Sequence, residues 1–484
     1  MAPPPTYPLY TGPTHTLYPI VDPAVSTLLP LFQPPVQTAP AYPARPALPI
    51  AVPAGWTSTV HAAPAAYPRS GANAVGNLVR ESKPFSPKLP IPADKANDKA
   101  FKAKLAATEA NNCTRAHFLD HILTVEDASA STQPHLWLGV ERWSRDKPTG
   151  GITLIVTQAN GLIKEQWAPT IKSILERGPR APGAEFGTGL PIRHDTNVLI
   201  DDVWFIDAVT HGTSIDLNAR LQGTTHTWYD TARDILNFVE HVIPGLQGQR
   251  APYQLQWKPE GTAQYADVVP VGHSWGASAG IQAAVARPEL FRAILNVEST
   301  CPPNVVPYSK FLELGPGAFP QAAGAIRRRN EWPSREAARD QMSKQGFYKA
   351  WNPTTFDIFI SHGLVPVNPK EPNGPVQLAT PPWAEAAVFS DDSAVGATWD
   401  KLLQLKIPSG FIMCGDKEPI WTGGSVLTRE LVWRPLRSRN ERIAGGGHLL
   451  VQEKPEELAD AIWRFFTTLD AGSWDVDRNA KSKL

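Results

Sequence analysis

The sequence predicts an α/β protein with a mostly parallel sheet, helices on both faces of that sheet, an inserted helical cap and a disordered proline-rich N-terminal tail. From about residue 117, short apolar strands alternate with segments of helical period, which is typical of a parallel sheet covered on both faces. The alternation is interrupted once, over a proline- and arginine-rich stretch from about 301 to 400, which predicts the cap. Proline density before residue 93 predicts the tail.

The N-terminal region has a composition unlike the rest of the chain. Of 49 prolines, 21 lie in residues 1–92, and only four charged residues precede Glu81. Proline fixes φ and removes a backbone donor, so no amphipathic period can be sustained there. We therefore predict a disordered tail over 1–92 and a helical connector over 93–116.

The core is predicted in two pieces, 117–300 and 401–470, on either side of the cap at 301–400. Predicted strands cover residues 136–143, 152–157, 198–205, 266–271, 293–297 and 410–414. Predicted helices cover residues 229–242 and 455–466. The polar residues 471–484 are predicted to form a mobile C-terminal tail.

Charge and cysteine usage exclude several classes of protein. Lysine plus arginine and aspartate plus glutamate number 46 each, so no overall field attracts nucleic acid or anionic lipid. The three cysteines are odd in number and far apart, which argues against a disulfide framework and a metal site. No run approaches the roughly 18 apolar residues of a membrane span, and dinucleotide and phosphate-loop motifs are absent. We expect an enzyme for a small molecule, without a cofactor, and the oligomeric state stays open.

Residues 272–276, Gly-His-Ser-Trp-Gly, form a G-x-S-x-G motif centred on Ser274. The motif lies between a predicted strand and a helix-compatible stretch, which is the context of a nucleophile elbow in the α/β-hydrolase fold. Glycines two positions on either side let the strand and helix pass closely while the serine oxygen projects above the sheet. The alternative is a chance match in a surface loop, but the flanking elements favour the elbow.

A serine nucleophile requires a base, an acid and donors for the oxyanion. His448, in a glycine-rich loop before the last helix, is the predicted base. Two carboxylates compete for the acid: Glu298, which ends the strand after the elbow helix, and Glu418, which follows the penultimate predicted strand. The oxyanion donors are predicted to be the backbone N–H of Trp275 and the amide of Asn160, in the turn after strand 152–157.

Several further motifs resemble those of fungal peroxisomal α/β hydrolases, a family that includes lipases, hydrolases of toxin biosynthesis and acyl-CoA hydrolases. The resemblance spans about residues 115 to 470. It is carried by Ala159-Asn160-Gly161, Lys164-Glu165, Asp207, His211-Gly212-Thr213-Ser214, Asn218, Ala232-Arg233-Asp234, the elbow, 287–291, 327–336 and 447–455. The resemblance implies that the acid follows the strand after the elbow helix, which favours Glu298 over Glu418. Gln158 departs from the family, where histidine commonly precedes Ala-Asn-Gly.

The chain ends in Ser482-Lys483-Leu484, which matches the peroxisomal address. The expected partners are therefore the peroxisomal import receptor and a small-molecule acyl substrate. The leading hypothesis is hydrolysis of an acyl thioester or ester, of acyl-CoA type, through an acyl-enzyme on Ser274. A peroxisomal lipase or carboxylesterase is one alternative, and a non-catalytic binding protein on a hydrolase fold is the other.

Overall fold

The computed structural model describes residues 28–87, 92, 94, 98–177, 199–259, 267–303, 320–391, 393–415 and 425–469. Its centre is an eight-stranded sheet with the strand order β1-β3-β5-β4-β6-β7-β11-β12. The strands of this sheet are β1 (Trp56–Pro64), β3 (Trp137–Arg145), β4 (Ile152–Thr157), β5 (Ile200–Ile206), β6 (Val268–His273), β7 (Ile294–Val297), β11 (Ser409–Cys414) and β12 (Ser438–Ile443). A short strand, β2 (Val75–Leu78), forms isolated bridges to Gln222. In the eight-stranded sheet the six strands β5, β4, β6, β7, β11 and β12 are parallel to one another, whereas β3 pairs antiparallel with both β1 and β5.

Helices occupy the connections between the parallel strands. The α-helices are α1 (Lys99–Phe118), α2 (Val125–Ser129), α3 (Ala168–Arg177), α4 (Gly212–Leu217), α5 (Trp228–Asn237), α6 (Trp275–Ala286), α7 (Pro320–Arg327), α8 (Arg335–Met342), α9 (Gly346–Lys349), α10 (Pro353–His362), α11 (Pro382–Phe389), α12 (Ser393–Lys401), α13 (Ser425–Trp433), α14 (Leu450–Glu453) and α15 (Pro455–Thr468). A π-helical turn, Phe238–Val242, continues α5, and 3₁₀ turns occur at Lys164–Trp167, Pro288–Leu290 and Leu402–Gln404.

The sheet separates two apolar layers. Alternate side chains of β4 point to opposite faces: Leu154 and Val156 pack into the layer that contains α3 and α15, whereas Ile155 packs into the layer that contains α5 and α6. A parallel strand buried on both faces is typically rich in apolar and β-branched residues, and every residue of β4 except Leu154 is β-branched. The predicted α/β-hydrolase fold, with a mostly parallel sheet and helices on both faces, is thus confirmed.

The proline-rich tail requires a correction. Residues 1–27 lie outside the described residues, but β1 lies within the predicted disordered range and pairs with β3 along its whole length. β1 is the outermost strand of the sheet, where one row of backbone groups needs no strand partner, and its single proline, Pro64, is its last residue. The prediction of disorder over residues 56–64 is therefore wrong. The prolines of this region flank β1 and do not interrupt it.

The segment before β1 also contacts the core. Arg233 donates to the carbonyl oxygens of Leu29 and Pro30 at 2.8 and 2.9 Å, and Ala39 donates its backbone N–H to the Gln254 side chain. Backbone carbonyls without a regular partner require such donors when they are buried. This segment is therefore held to the core by side chains, without strand pairing.

The region between β7 and β11 builds a cap-like layer with more than helices in it. It contains α7 to α12 and a small antiparallel sheet in the order β8-β10-β9, formed by β8 (Glu331–Trp332), β9 (Leu364–Pro366) and β10 (Val376–Leu378). The predicted connector contains α1, which packs against α7 and α11. Among the helices that the structure describes, none is long and apolar enough to cross a membrane.

Candidate active site

Ser274 occupies a sharp turn between β6 and α6. Its backbone has φ 56° and ψ −116°, a left-handed φ that a non-glycine residue adopts only at a cost. A Cβ atom at Gly272 would lie 2.5 Å from the backbone of Ala277, and one at Gly276 would lie 2.7 Å from the carbonyl oxygen of Gln158. Only glycine fits at either position, so the two glycines permit the tight strand-to-helix turn that aims the serine hydroxyl outward.

The structure brings the hydroxyl of Ser274, the imidazole of His448 and the carboxylate of Glu298 into one hydrogen-bonded chain. The Ser274 Oγ lies 3.0 Å from His448 Nε2, and His448 Nδ1 lies 3.0 Å from Glu298 Oε2. With the Nδ1–H donated to the carboxylate, Nε2 is free to accept the serine proton. This arrangement can generate a serine nucleophile and stabilise the imidazolium that forms beside it.

Glu298 is held in a fully buried position at the end of β7. Its Oε1 accepts the backbone N–H of Cys414 at 2.5 Å, and its own N–H donates to the carbonyl oxygen of Ile412 on the neighbouring strand β11. A buried carboxylate needs such donors to offset the loss of water. The competing carboxylate, Glu418, lies outside the described residues.

A neighbouring histidine holds the loop that carries His448. The imidazole Nε2 of His273 lies 2.9 Å from the backbone carbonyl oxygen of His448. Because a carbonyl oxygen only accepts, this nitrogen must carry the proton. Burial lowers the pKa of His273 to about 3, with a smaller contribution from the charge of His448, so His273 remains a neutral donor. On the other side of the loop, Gly447 donates its N–H to Glu453 at 2.6 Å.

The two predicted oxyanion donors lie on adjoining elements. Trp275 is the first residue of α6, where the backbone N–H groups of a helix have no partner within the helix. Asn160 lies in the turn after β4, and this turn contacts the elbow because the carbonyl oxygen of Gln158 faces Gly276. The side chain of Asn160 is already engaged, since its Nδ2 donates to the backbone carbonyl of Glu385 at 3.0 Å. Its backbone N–H is the group that remains a candidate donor.

A family model described as the alpha/beta hydrolase family matches residues 181–461, more than half of the chain. The chain belongs to the alpha/beta hydrolase family. It is an enzyme of that family, and ester-bond hydrolysis is the chemistry that the family and the arrangement at Ser274 support. The motif sits on the strand and helix that the fold requires.

Two comparisons place this hydrolase beside a yeast protein. The peroxisomal membrane protein LPX1 of Saccharomyces cerevisiae is 25% identical over 163 residues, which cover 34% of each chain. The chain therefore matches about a third of the length of this curated relative. The solved structure of the peroxisomal alpha-beta-hydrolase Lpx1 from the same yeast covers 85% of this chain and 88% of that one, with a TM-score of 0.53 and 14% identity. The structural likeness concerns the fold, and the predicted resemblance to a fungal peroxisomal hydrolase is confirmed.

His211 supports the turn of Asn160 and Gly161 from the core side. Its Nε2 accepts the backbone N–H of Gly161 at 2.9 Å and lies 3.0 Å from Asn160 Oδ1. Its Nδ1 lies 2.9 Å from the hydroxyl of Thr210, which completes the bonding of the ring. Burial lowers the pKa of His211 to about 3, so the ring stays neutral and keeps an unprotonated nitrogen for Gly161.

An ion pair supports the same turn from the cap side. The carboxylate of Glu385 on α11 accepts a hydrogen bond from Arg328 Nη1 at 2.7 Å, and Arg328 Nη2 donates to the hydroxyl of Tyr348 at 3.1 Å. A Cβ atom at Gly161 would lie 2.7 Å from the Glu385 carboxyl group, and φ at Gly161 is +76°. Glycine is thus required there for two reasons. We call Glu385 and Arg328 the cap ion pair.

Sequence reasoning missed the cap ion pair and gave His211 no role. His211 stood within a motif shared with a family, which was a signal of importance without a mechanism. Arg328 and Glu385 are 57 residues apart, and nothing local connects them. Among the described residues, no group of three or more histidine, cysteine or acidic side chains is placed to hold a metal ion.

Proposed function

We propose that this hydrolase cleaves an acyl thioester, of the acyl-CoA type, through a covalent acyl-enzyme on Ser274. The observation that carries the proposal is the continuous hydrogen-bonded chain from Ser274 through His448 to the buried Glu298. A serine hydroxyl is a weak nucleophile until a base removes its proton, and this chain supplies that base.

The reaction has two halves. In acylation, Ser274 Oγ attacks the carbonyl carbon and its proton passes to His448 Nε2, while Glu298 stabilises the imidazolium. The backbone N–H groups of Trp275 and Asn160 are the proposed donors to the oxyanion. His448 then gives its proton to the leaving sulfur. In deacylation, a water molecule loses a proton to His448, attacks the acyl carbon and releases the acid.

The thioester rather than an oxygen ester is favoured by the proposed location. We infer from the terminal Ser482-Lys483-Leu484 that the import receptor delivers the chain to peroxisomes, where acyl groups are carried as thioesters. The similarity to a yeast peroxisomal protein supports the same location.

A substrate panel tests the proposal. The purified full-length chain is incubated with acyl-CoAs of increasing length, and thiol release is followed with a chromogenic disulfide, beside glycerides and aryl esters. We expect thiol release from at least one acyl-CoA, and none from Ser274→Ala. Hydrolysis of glycerides or aryl esters without any thiol release would instead indicate a lipase or carboxylesterase.

A fluorophosphonate probe tests the covalent step separately. The probe should label the protein, and Ser274→Ala should abolish the labelling while the protein remains folded by circular dichroism. If the protein neither reacts with the probe nor hydrolyses any substrate, it is better described as a binding protein on a hydrolase fold.

A further inference from the structure

Thr300 lies beside the nucleophile and has no part in the chain of Ser274, His448 and Glu298. Its Oγ1 lies 3.1 Å from Ser274 Oγ, nearly as close as the 3.0 Å contact from Ser274 Oγ to His448 Nε2. The serine oxygen therefore has two hydrogen-bonding neighbours. It can donate only one proton, and His448 Nε2 accepts but does not donate in the state that precedes attack. The Thr300 hydroxyl must then be the donor to Ser274 Oγ.

Two hydrogen bonds hold the backbone of Thr300 beside the elbow. The Ser278 hydroxyl, in the first turn of α6, donates to the carbonyl oxygen of Thr300 at 2.7 Å. The N–H of Thr300 donates to the carbonyl oxygen of Ser274 at 3.5 Å. Thr300 is half-buried, between the fully buried Ser299 and Cys301. The backbone of Thr300 is thus fixed relative to the elbow, because Ser274 and Ser278 both lie at the start of α6.

A donor at this place acts differently on the two halves of the reaction. Before attack, Oγ is a hydroxyl oxygen that accepts the Thr300 proton well. In the acyl-enzyme, the same atom is the alkyl oxygen of an ester, which is a poor acceptor because its lone pair is delocalised toward the carbonyl. This hydrogen bond is stronger to the free serine than to the ester. It therefore stabilises the free enzyme relative to the acyl-enzyme.

We propose that Thr300 donates a hydrogen bond to Ser274 Oγ that speeds deacylation relative to acylation. The inference rests on the acyl-enzyme of the proposed function. In deacylation, the bond between water oxygen and acyl carbon forms and the bond between that carbon and Oγ breaks. The proton taken from water by His448 passes from Nε2 to Oγ. Thr300 keeps its own proton throughout and stabilises the negative charge that grows on Oγ as it leaves.

The test compares Thr300→Val, which keeps the shape and removes the hydroxyl, with Thr300→Ser, which keeps the hydroxyl. Stopped-flow hydrolysis of an activated aryl ester gives the acylation rate from the burst and the deacylation rate from the steady phase. Intact-protein mass spectrometry gives the fraction of acyl-enzyme during turnover. We expect Thr300→Val to lower the deacylation rate on the order of 10-fold and the acylation rate by much less, so that acyl-enzyme accumulates. Thr300→Ser should keep the ratio of the two rates near that of the parent.

A purely structural role gives another result. If Thr300→Val lowers both rates equally, or leaves the acyl-enzyme fraction unchanged, the proposal is overturned. Thr300→Ala provides a second hydroxyl-free variant should the valine variant fail to fold, and the same two outcomes apply to it. Failure of the proposed function is distinguishable, because the parent protein would then show no fluorophosphonate adduct on Ser274 at all.

Discussion

Replacing Glu298 by glutamine tests which carboxylate acts as the acid beside His448, a choice that the residues alone left open between Glu298 and Glu418. Glu298 is fully buried, and its two oxygens accept from fixed donors: the Cys414 backbone N–H at 2.5 Å and His448 Nδ1 at 3.0 Å. Glutamine keeps the shape but has one oxygen and one NH₂ group. The backbone N–H of Cys414 can only donate, so the amide oxygen must face it. The NH₂ group is left to face His448.

This orientation reverses the tautomer of the imidazole. An NH₂ group donates, so Nδ1 of His448 becomes the acceptor and the ring proton moves to Nε2. With Nε2 protonated, it cannot take the proton of Ser274. A wrong tautomer in a serine triad costs on the order of 10⁴ in kcat, and at about 1.4 kcal/mol per tenfold this is about 5.5 kcal/mol of transition-state stabilisation.

The assay is kcat/KM of Glu298→Gln on the best substrate of the panel, beside Glu418→Gln as the matched carboxylate control. We expect Glu298→Gln to lose on the order of 10³ to 10⁴ in kcat/KM and Glu418→Gln to stay within a few-fold of the parent. Thermal unfolding of both variants controls for loss of the fold. If only Glu418→Gln collapses the activity, the role given to Glu298 is wrong.

Two further predictions concern the cap ion pair and the address. Glu385→Ala removes the carboxylate that pairs with Arg328. Because the Arg328 side chain is 20% exposed, we expect the unfolding free energy to fall by about 1–3 kcal/mol, which is less than the cost of breaking a fully buried pair. Its kcat should fall more than its KM rises, because the turn of Asn160 loosens, and an unchanged kcat would contradict this role. Removing Ser482–Leu484 from a fluorescent fusion should move the fluorescence from peroxisomes to the cytosol, and retention in peroxisomes would show that another signal is used.

Strong local patterns made the core of the fold predictable. Strand 152–157 was predicted at the bounds that β4 has, because a short run rich in β-branched residues between turn signals favours a strand. β1 was missed for a physical reason: its pairing with β3 joins residues about 80 positions apart, and no local period reports such a contact. The small antiparallel sheet in the cap was missed as well, because its strands are only two or three residues long.

Some residues of the candidate site were likewise predictable from local sequence, whereas others were not. Ser274 and His448 were found from the glycines around them, since tight turns have a local sequence requirement. Glu298 and Glu418 both follow predicted strands, and their own segments look alike. The difference appears only in three dimensions, where β7 lies between β6 and β11 and brings Glu298 beside both the elbow and Cys414. Thr300 had no signal, because a hydroxyl residue after a strand is common.

Lys164, Glu165 and Asp207, which carry part of the family resemblance, are buried and paired with one another, so their role is structural. Lys164 is fully buried and its Nζ lies 2.6 Å from Glu165 and 2.8 Å from Asp207. Asp207 also accepts the backbone N–H of Lys164 at 3.1 Å and of Thr213 at 2.9 Å, so it joins the start of the 3₁₀ turn to the start of α4. A buried charge that loses its partner is costly, so these groups stabilise the fold as a set. The 3₁₀ turn follows the segment that carries Asn160, and α4 follows His211, which bonds Gly161. The ion cluster of Lys164, Glu165 and Asp207 therefore links the segment that follows Asn160 to the start of α4, and so supports the turn that carries the proposed oxyanion donor.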